Sequence, residues 1–188
     1  MGYLPAEKIQ PLFIVETIAE KKITTSPIIV GISKIKAPNL SGILQKCKTM
    51  QGLNYILAKI AAKKSGHFDD ILLSEKGFVS ECSSSNIFWV KNNKIFTSSA
   101  KCNILFGTTR DKILKKFPIK INLVEARLSR LKNADEIFLT NSNFLALAVD
   151  ELVTNNKKIK LQKNLSSQVL QWLENDIEKY KCHQKNKN

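Results

Sequence analysis

Short apolar runs separated by polar turns dominate the chain, and few stretches carry helical spacing. Residues 11–18 (PLFIVETI) and 27–33 (PIIVGIS) are rich in β-branched side chains and predict strands, joined by the polar 19–26. Pro38, Asn39 and Gly42 predict a loop over 36–47 that feeds a helix. Within 49–64, Met50, Leu53, Ile56, Leu57, Ile60 and Ala61 recur at helical spacing. That stripe is expected to face inward, with Lys59, Lys63 and Lys64 outward. Basic charge suits the helix's C-terminal end, and Ser65-Gly66 ends it.

Downstream, 69–74 and 78–81 predict a hairpin around Glu75-Lys76-Gly77, and NIFWVKNNKIFTS a second one turning at Asn92-Asn93. Thr108 or Thr109 is expected to cap a helix running through Asp111 to Phe117, which Pro118 ends. Strand patterns follow at 121–126, 136–141, 144–152 and 158–161, with a short helix at 128–134. Residues 164–180 predict an amphipathic helix with Leu165, Val169, Trp172, Leu173, Ile177 and Tyr180 inward. Many strands with few helices, and no strict βαβ alternation, point to an α+β fold: a mixed, partly closed sheet (a pseudo-barrel) with packed helices.

Length and composition narrow the function classes. With 188 residues and 43% hydrophobic content, one good core fits and two full domains do not. No apolar run approaches the ~18 residues of a membrane span, and the start MGYLPAEKIQ lacks a signal-peptide layout, so a cytoplasmic location is expected. Cys47, Cys82, Cys102 and Cys182 have no CxxC spacing and are expected to be buried free thiols. No metal constellation is present in the sequence, and His67 and His183 are assigned to a loop and a tail. The net charge of +14 raises nucleic acid as a partner. Yet Arg110, Arg127 and Arg130 are the only arginines among 30 basic residues, and the lysines are scattered, which argues against it.

Four short segments carry candidate chemistry: KTMQGLNYILAKIAA (48–62), VSECSSSNIFW (79–89), GTTRD (107–111) and ADEIFLTNSN (134–143). In this order and spacing they resemble the large domain of the class IV (fold type IV) pyridoxal-phosphate enzymes over roughly 38–150. That family includes branched-chain and D-amino-acid aminotransferases and 4-amino-4-deoxychorismate lyase. The resemblance implies pyridoxal 5'-phosphate as cofactor and Lys48 as the catalytic lysine, whose deprotonated amine holds the cofactor aldehyde. The family's lysine precedes a Leu-Ala-Lys segment by nine residues, as Lys48 precedes Leu57-Ala58-Lys59. One departure is that Gln51 and Gly52 stand where the family has Asn or Asn-Tyr, with Asn54-Tyr55 three residues late. Letting that later pair set the register would put Gln51 at the lysine position; the ungapped register selects Lys48.

By the same resemblance, Glu81 is the carboxylate beside the pyridine nitrogen, with Ser84 and Ser85 in the hydroxyl loop that follows. Thr108 and Thr109, with their backbone N–H groups, match the phosphate grip, and Ser142 a further phosphate hydroxyl. Residues 1–37 are expected to be a remnant or linker of the family's small N-terminal domain, with two strands. Residues 38–181 are then the cofactor-binding large domain and 182–188 a disordered tail. The family's phosphate arginine comes from the small domain, and no arginine precedes Arg110. A homodimer partner or a separate small-domain chain would complete the site.

Among subfamilies, Ser84-Ser85-Asn86 departs from the Gly-Glu-Asn usual in branched-chain aminotransferases. Glu81-Cys82 with Phe88-Trp89 resembles the aminodeoxychorismate lyases, which form 4-aminobenzoate and pyruvate for folate synthesis, and the serine run resembles D-amino-acid aminotransferases. The expected function is therefore the lyase, with a D-amino-acid or branched-chain aminotransferase as alternative, and a non-catalytic truncated remnant as the reading from another class.

Overall fold

A computed structural model describes residues 10, 12–17, 27–39, 42–50, 52–155 and 157–185. Among them the chain forms ten strands and four α-helices, arranged as α+β. Two five-stranded mixed sheets replace the single partly closed sheet expected from the pattern, and both are open. The first has the order β10 (Lys157–Lys160), β9 (Glu151–Thr154), β1 (Ile29–Ile32), β2 (Asp69–Leu73), β3 (Val79–Cys82). The second runs β6 (Ile121–Val124), β5 (Lys94–Ser98), β4 (Asn86–Lys91), β7 (Glu136–Asn141), β8 (Leu145–Ala148). The long-range parallel pairing of β1 with β9 and β2 builds the first sheet, and no local pattern encodes it.

The sheets are held together by the side chains that alternate along β4. Ile87 and Trp89 enter a core shared with Val30 and Ile71 of the first sheet, while Phe88 and Val90 face the opposite way. There they meet α2 (Thr108–Lys116) and α4 (Leu165–Lys185) through Ile113, Leu165, Val169 and Leu173. Phe88 stacks on Phe138 of β7 at 5.0 Å between centroids. A strand buried on both faces in this way reads as an unbroken apolar run, as NIFWV does.

The turns follow their residues. Asn92 and Asn93 adopt φ of 50° and 57°, the left-handed pair that a two-residue hairpin requires. The helix α3 (Leu128–Lys132) forms as the pattern predicts. The helix α4 continues through Lys185, beyond the 182 at which a disordered tail was expected to begin. The expected strand at 11–18 does not form over 12–17, where Leu12, Phe13, Ile14 and Val15 are exposed; Pro11 and Ile18 lie outside the described residues.

The helix α1 (Leu53–Lys64) begins four residues later than its pattern suggests, and its facing is reversed. Ala58 and Ala62 are the buried positions, set against Leu72 and Ala37 on the outer face of the first sheet. Leu53, Ile56, Leu57 and Ile60, expected inside, are 44–64% exposed. Small residues let the helix lie close to the sheet, which leaves the larger apolar side chains on the far side. Lys59, expected outside, turns in: its Nζ donates to Phe68 O at 2.6 Å and lies 3.5 Å from buried Asp69.

Candidate active site

At one end of the two sheets, a cavity of about 910 Å³ is lined by all four motif segments. Lys48, Glu81, Ser84, Ser85, Thr108, Thr109 and Ser142 all contribute to its wall, so every residue singled out in the sequence converges there. Such a volume suits a small-molecule site. Gln51, the competing lysine position, lies outside the described residues.

Glu81, at the end of β3, is 4% exposed and fully engaged. Tyr55 Oη donates to its Oε1 at 2.7 Å and Asn86 Nδ2 to its Oε2 at 2.8 Å. The Leu105 N–H donates to both oxygens at 3.1 Å. Burial pushes the Glu81 carboxyl up to about 7, and the Tyr55 and Leu105 hydrogen bonds and the charges of Arg110 and Lys48 pull against it. Burial, then the Glu81 charge, raises the Tyr55 phenol, which therefore stays a donor. Tyr55 is the late tyrosine of the displaced Asn-Tyr pair; from α1 it reaches the carboxylate.

Asn86 opens β4 and ties the site together. Its Nδ2 also donates to Leu105 O at 2.9 Å, which fixes the loop leading into α2. That loop ends at Gly107, the N-cap of α2, where no side-chain oxygen caps the helix. The cap therefore belongs to Gly107 and to neither threonine; Thr108 and Thr109 are the first helical residues. Thr108 and Thr109 of this first turn line the cavity, and the uncapped N–H groups of such a helix start favour an anion. Thr140, opposite Asn86 in the β4–β7 register, is 1% exposed, and its Oγ1 has no hydrogen-bond partner.

The serine loop between β3 and β4 is organised from behind. Asp69 is fully buried, and its Oδ1 accepts from Ser83 Oγ at 2.6 Å and Ser83 N at 3.1 Å. Its Oδ2 accepts from Ser84 Oγ at 3.0 Å, so that hydroxyl is spent on the scaffold. Asn141 Nδ2 donates to Ser84 O at 3.1 Å and links the loop to the exposed Ser142. Cys82 and Cys102 are buried free thiols; Cys47 is exposed, contrary to expectation. Trp89 and Phe88 are core residues with no part in the cavity wall. His67 Nδ1 pairs with Asp70 Oδ1 at 2.8 Å and braces the sheet. The side chain of Cys182 and that of His183 lie outside the description.

Sequence reasoning missed Lys46, Tyr55, Asn86, Asp69 and Thr140. Of these, Tyr55 and Asn86 stood inside motif strings already marked, while the other roles depend on contacts between distant segments.

A family model described as amino-transferase class IV matches residues 4–152. A protein of Methanocaldococcus jannaschii, provisionally named a branched-chain-amino-acid aminotransferase, is 38% identical over 118 residues, covering 60% of this chain and 41% of that protein. The D-alanine aminotransferase of Bacillus licheniformis is 30% identical over 125 residues, covering 65% of this chain and 44% of that enzyme. The chain thus spans less than half the length of either relative. Among solved structures, one from Legionella pneumophila, provisionally named a 4-amino-4-deoxychorismate lyase, superposes with a TM-score of 0.71 at 22% identity. That match covers 83% of this chain and 58% of the other, and shows a shared fold. No helix among the described residues is long and apolar enough to cross a membrane.

Proposed function

The chain belongs to the amino-transferase class IV family, and on that premise we propose that its cavity binds pyridoxal 5'-phosphate and serves amino-group transfer from an α-amino acid. Members of this family depend on that cofactor. The observation that carries the proposal is the single cavity that gathers an exposed lysine, a buried carboxylate and an uncapped helix start. These residues fit the group: Glu81 would hold a heteroaromatic nitrogen, the first turn of α2 would hold a phosphate, and Thr140 Oγ1 is a buried hydroxyl with no hydrogen-bond partner among the described residues. When bound, the cofactor supplies an aldehyde for the substrate amine and a ring that withdraws electrons from the substrate Cα.

The protein's own part follows from its atoms. Lys48 Nζ would hold the cofactor's aldehyde and would serve as the base for the proton at the substrate Cα. Glu81 holds a proton at the ring nitrogen, and Tyr55, Asn86 and Leu105 keep its two oxygens in place. The anion-binding turn of α2 fixes the phosphate end, so the reacting end is oriented by geometry.

The relatives weigh toward an aminotransferase of branched-chain or D-amino-acid type. The lyase reading keeps support from the shared fold and from Cys82 beside Glu81. Its other sequence support, Phe88-Trp89, is accounted for by core packing. Residues 38–181 act as the cofactor-binding domain, and a second copy of the chain docks on the apolar stripe of α1.

The test is absorbance after purification with added pyridoxal 5'-phosphate. A yellow species that persists through dialysis and is absent from Lys48→Ala is expected. A colourless wild-type chain, or colour that survives Lys48→Ala, would overturn the assignment.

A further inference from the structure

Two lysines line the cavity, and the family reading uses only one of them. Lys48 lies close enough to Glu81 for its charge to act on that carboxyl. Lys46 ends a 3-10 helix, Gly42–Lys46, whose buried Gln45 is tied to the loop leading into α2. The Phe106 N–H donates to Gln45 O at 2.8 Å, and Gln45 Nε2 donates to Ala100 O at 2.6 Å. One residue beyond each end of that backbone bond stand Lys46 and Gly107, the N-cap of α2. Lys46 is exposed, makes no ion pair among the described residues, and shares the cavity wall with Thr108, Thr109 and Thr140.

We propose that Lys46 is the cation for the cofactor's phosphate, held against the α2 N-terminus by the Gln45–Phe106 tie. This rests on the cofactor reading above and adds a residue to it. The helix start supplies N–H donors, Thr140 a buried hydroxyl without a partner, and Lys46 the full positive charge that a helix end alone lacks. No arginine among the described residues lines the cavity, and Arg110 is turned away, its Nη2 donating to Ser98 O at 2.8 Å. Of the two lysines in the cavity wall, Lys48 is taken by the aldehyde, which leaves Lys46 for the phosphate.

The experiment separates the phosphate from the ring. The full chain and its Lys46→Gln and Lys46→Arg variants are titrated with pyridoxal 5'-phosphate, pyridoxal and inorganic phosphate, by calorimetry. Lys46→Gln should weaken the phosphorylated compound roughly tenfold to a hundredfold, the range of one charge-assisted contact. It should leave pyridoxal within about twofold, and Lys46→Arg should keep most of the affinity. An unchanged unfolding midpoint for Lys46→Gln would show that the exposed site tolerates the change. Equal losses for both compounds, or none for either, overturn the assignment of Lys46 and leave the cofactor reading standing. A wild-type chain that binds neither compound overturns both.

Discussion

Asn86 and Gly107 approach so closely that a Cβ built on Gly107 would lie 2.2 Å from Asn86 Oδ1. Asn86 cannot retreat without loss, because its Nδ2 is held by Glu81 Oε2 and Leu105 O. The backbone angles of Gly107, φ −63° and ψ 140°, suit any residue. The need for glycine here is therefore one of space. It lets the start of α2 pass over the amide that orients the Glu81 carboxylate.

Gly107→Ala should accordingly destabilise the protein by about 1–3 kcal/mol, the usual range for overpacking. Pyridoxal 5'-phosphate affinity should fall with it, since the anion-binding turn must shift. Urea unfolding and a cofactor titration measure the two effects. Adding Asn86→Ala should recover part of the stability, giving a coupling that two independent sites would lack.

Glu81 predicts a pH dependence. Its folded-state value of about 7 lies above the ordinary 4.5, so the folded chain binds the proton more tightly than the unfolded chain. Stability is therefore full below about 4.5 and falls as pH rises towards 7, then levels off, a loss on the order of 3 kcal/mol. Glu81→Gln should remove that slope. Tyr55 can accept from the new amide while Asn86 and Leu105 still donate to the oxygen. Urea midpoints at pH 5 and pH 8 that differ as much in Glu81→Gln as in wild type would refute this account.

Local chemistry was legible in the sequence where it is decided locally. Asn92-Asn93 and the alternation around it encode a hairpin, and the strings around Lys48, Glu81, Thr108 and Ser142 lead to one cavity. The division into two sheets was hidden, because β1 finds β9 across more than a hundred residues. The facing of α1 was misread because a binary pattern gives Leu and Ile more weight than Ala, whereas close packing on the sheet selects Ala58 and Ala62. Lys46 and Asp69 stayed invisible as site residues, since their relevance arises from the Gln45–Phe106 bond and the Ser83–Ser84 loop.

Asp69→Asn tests the support behind the serine loop. Asp69 Oδ1 receives Ser83 Oγ, Ser83 N and the Asp70 N–H, and Oδ2 receives Ser84 Oγ, so an amide nitrogen at the Oδ2 position must reverse the Ser84 hydrogen bond and faces the Lys59 ammonium 3.5 Å away. The expected cost is about 1–3 kcal/mol, from hydrogen bonds that lose their charged acceptor and a charge removed beside Lys59. Proteolysis of the 83–85 loop should become faster than in wild type. A variant with wild-type unfolding and wild-type protease resistance would show that the network is dispensable.

The exposed stripe of α1 makes the last prediction. Leu53, Ile56, Leu57 and Ile60 present apolar surface on a helix whose sheet contacts come from alanines, so charging the stripe removes nothing from the monomer's own core. Ile56→Lys with Leu57→Lys should therefore keep the unfolding midpoint within about 0.5 kcal/mol of wild type, as surface changes do. Association should respond strongly, because two lysines in an apolar contact must be desolvated without partners. Sedimentation should show a dimer for wild type and a monomer for the double variant, with weaker cofactor binding in the monomer. A wild-type chain that sediments as a monomer at all concentrations would remove the second copy from the site.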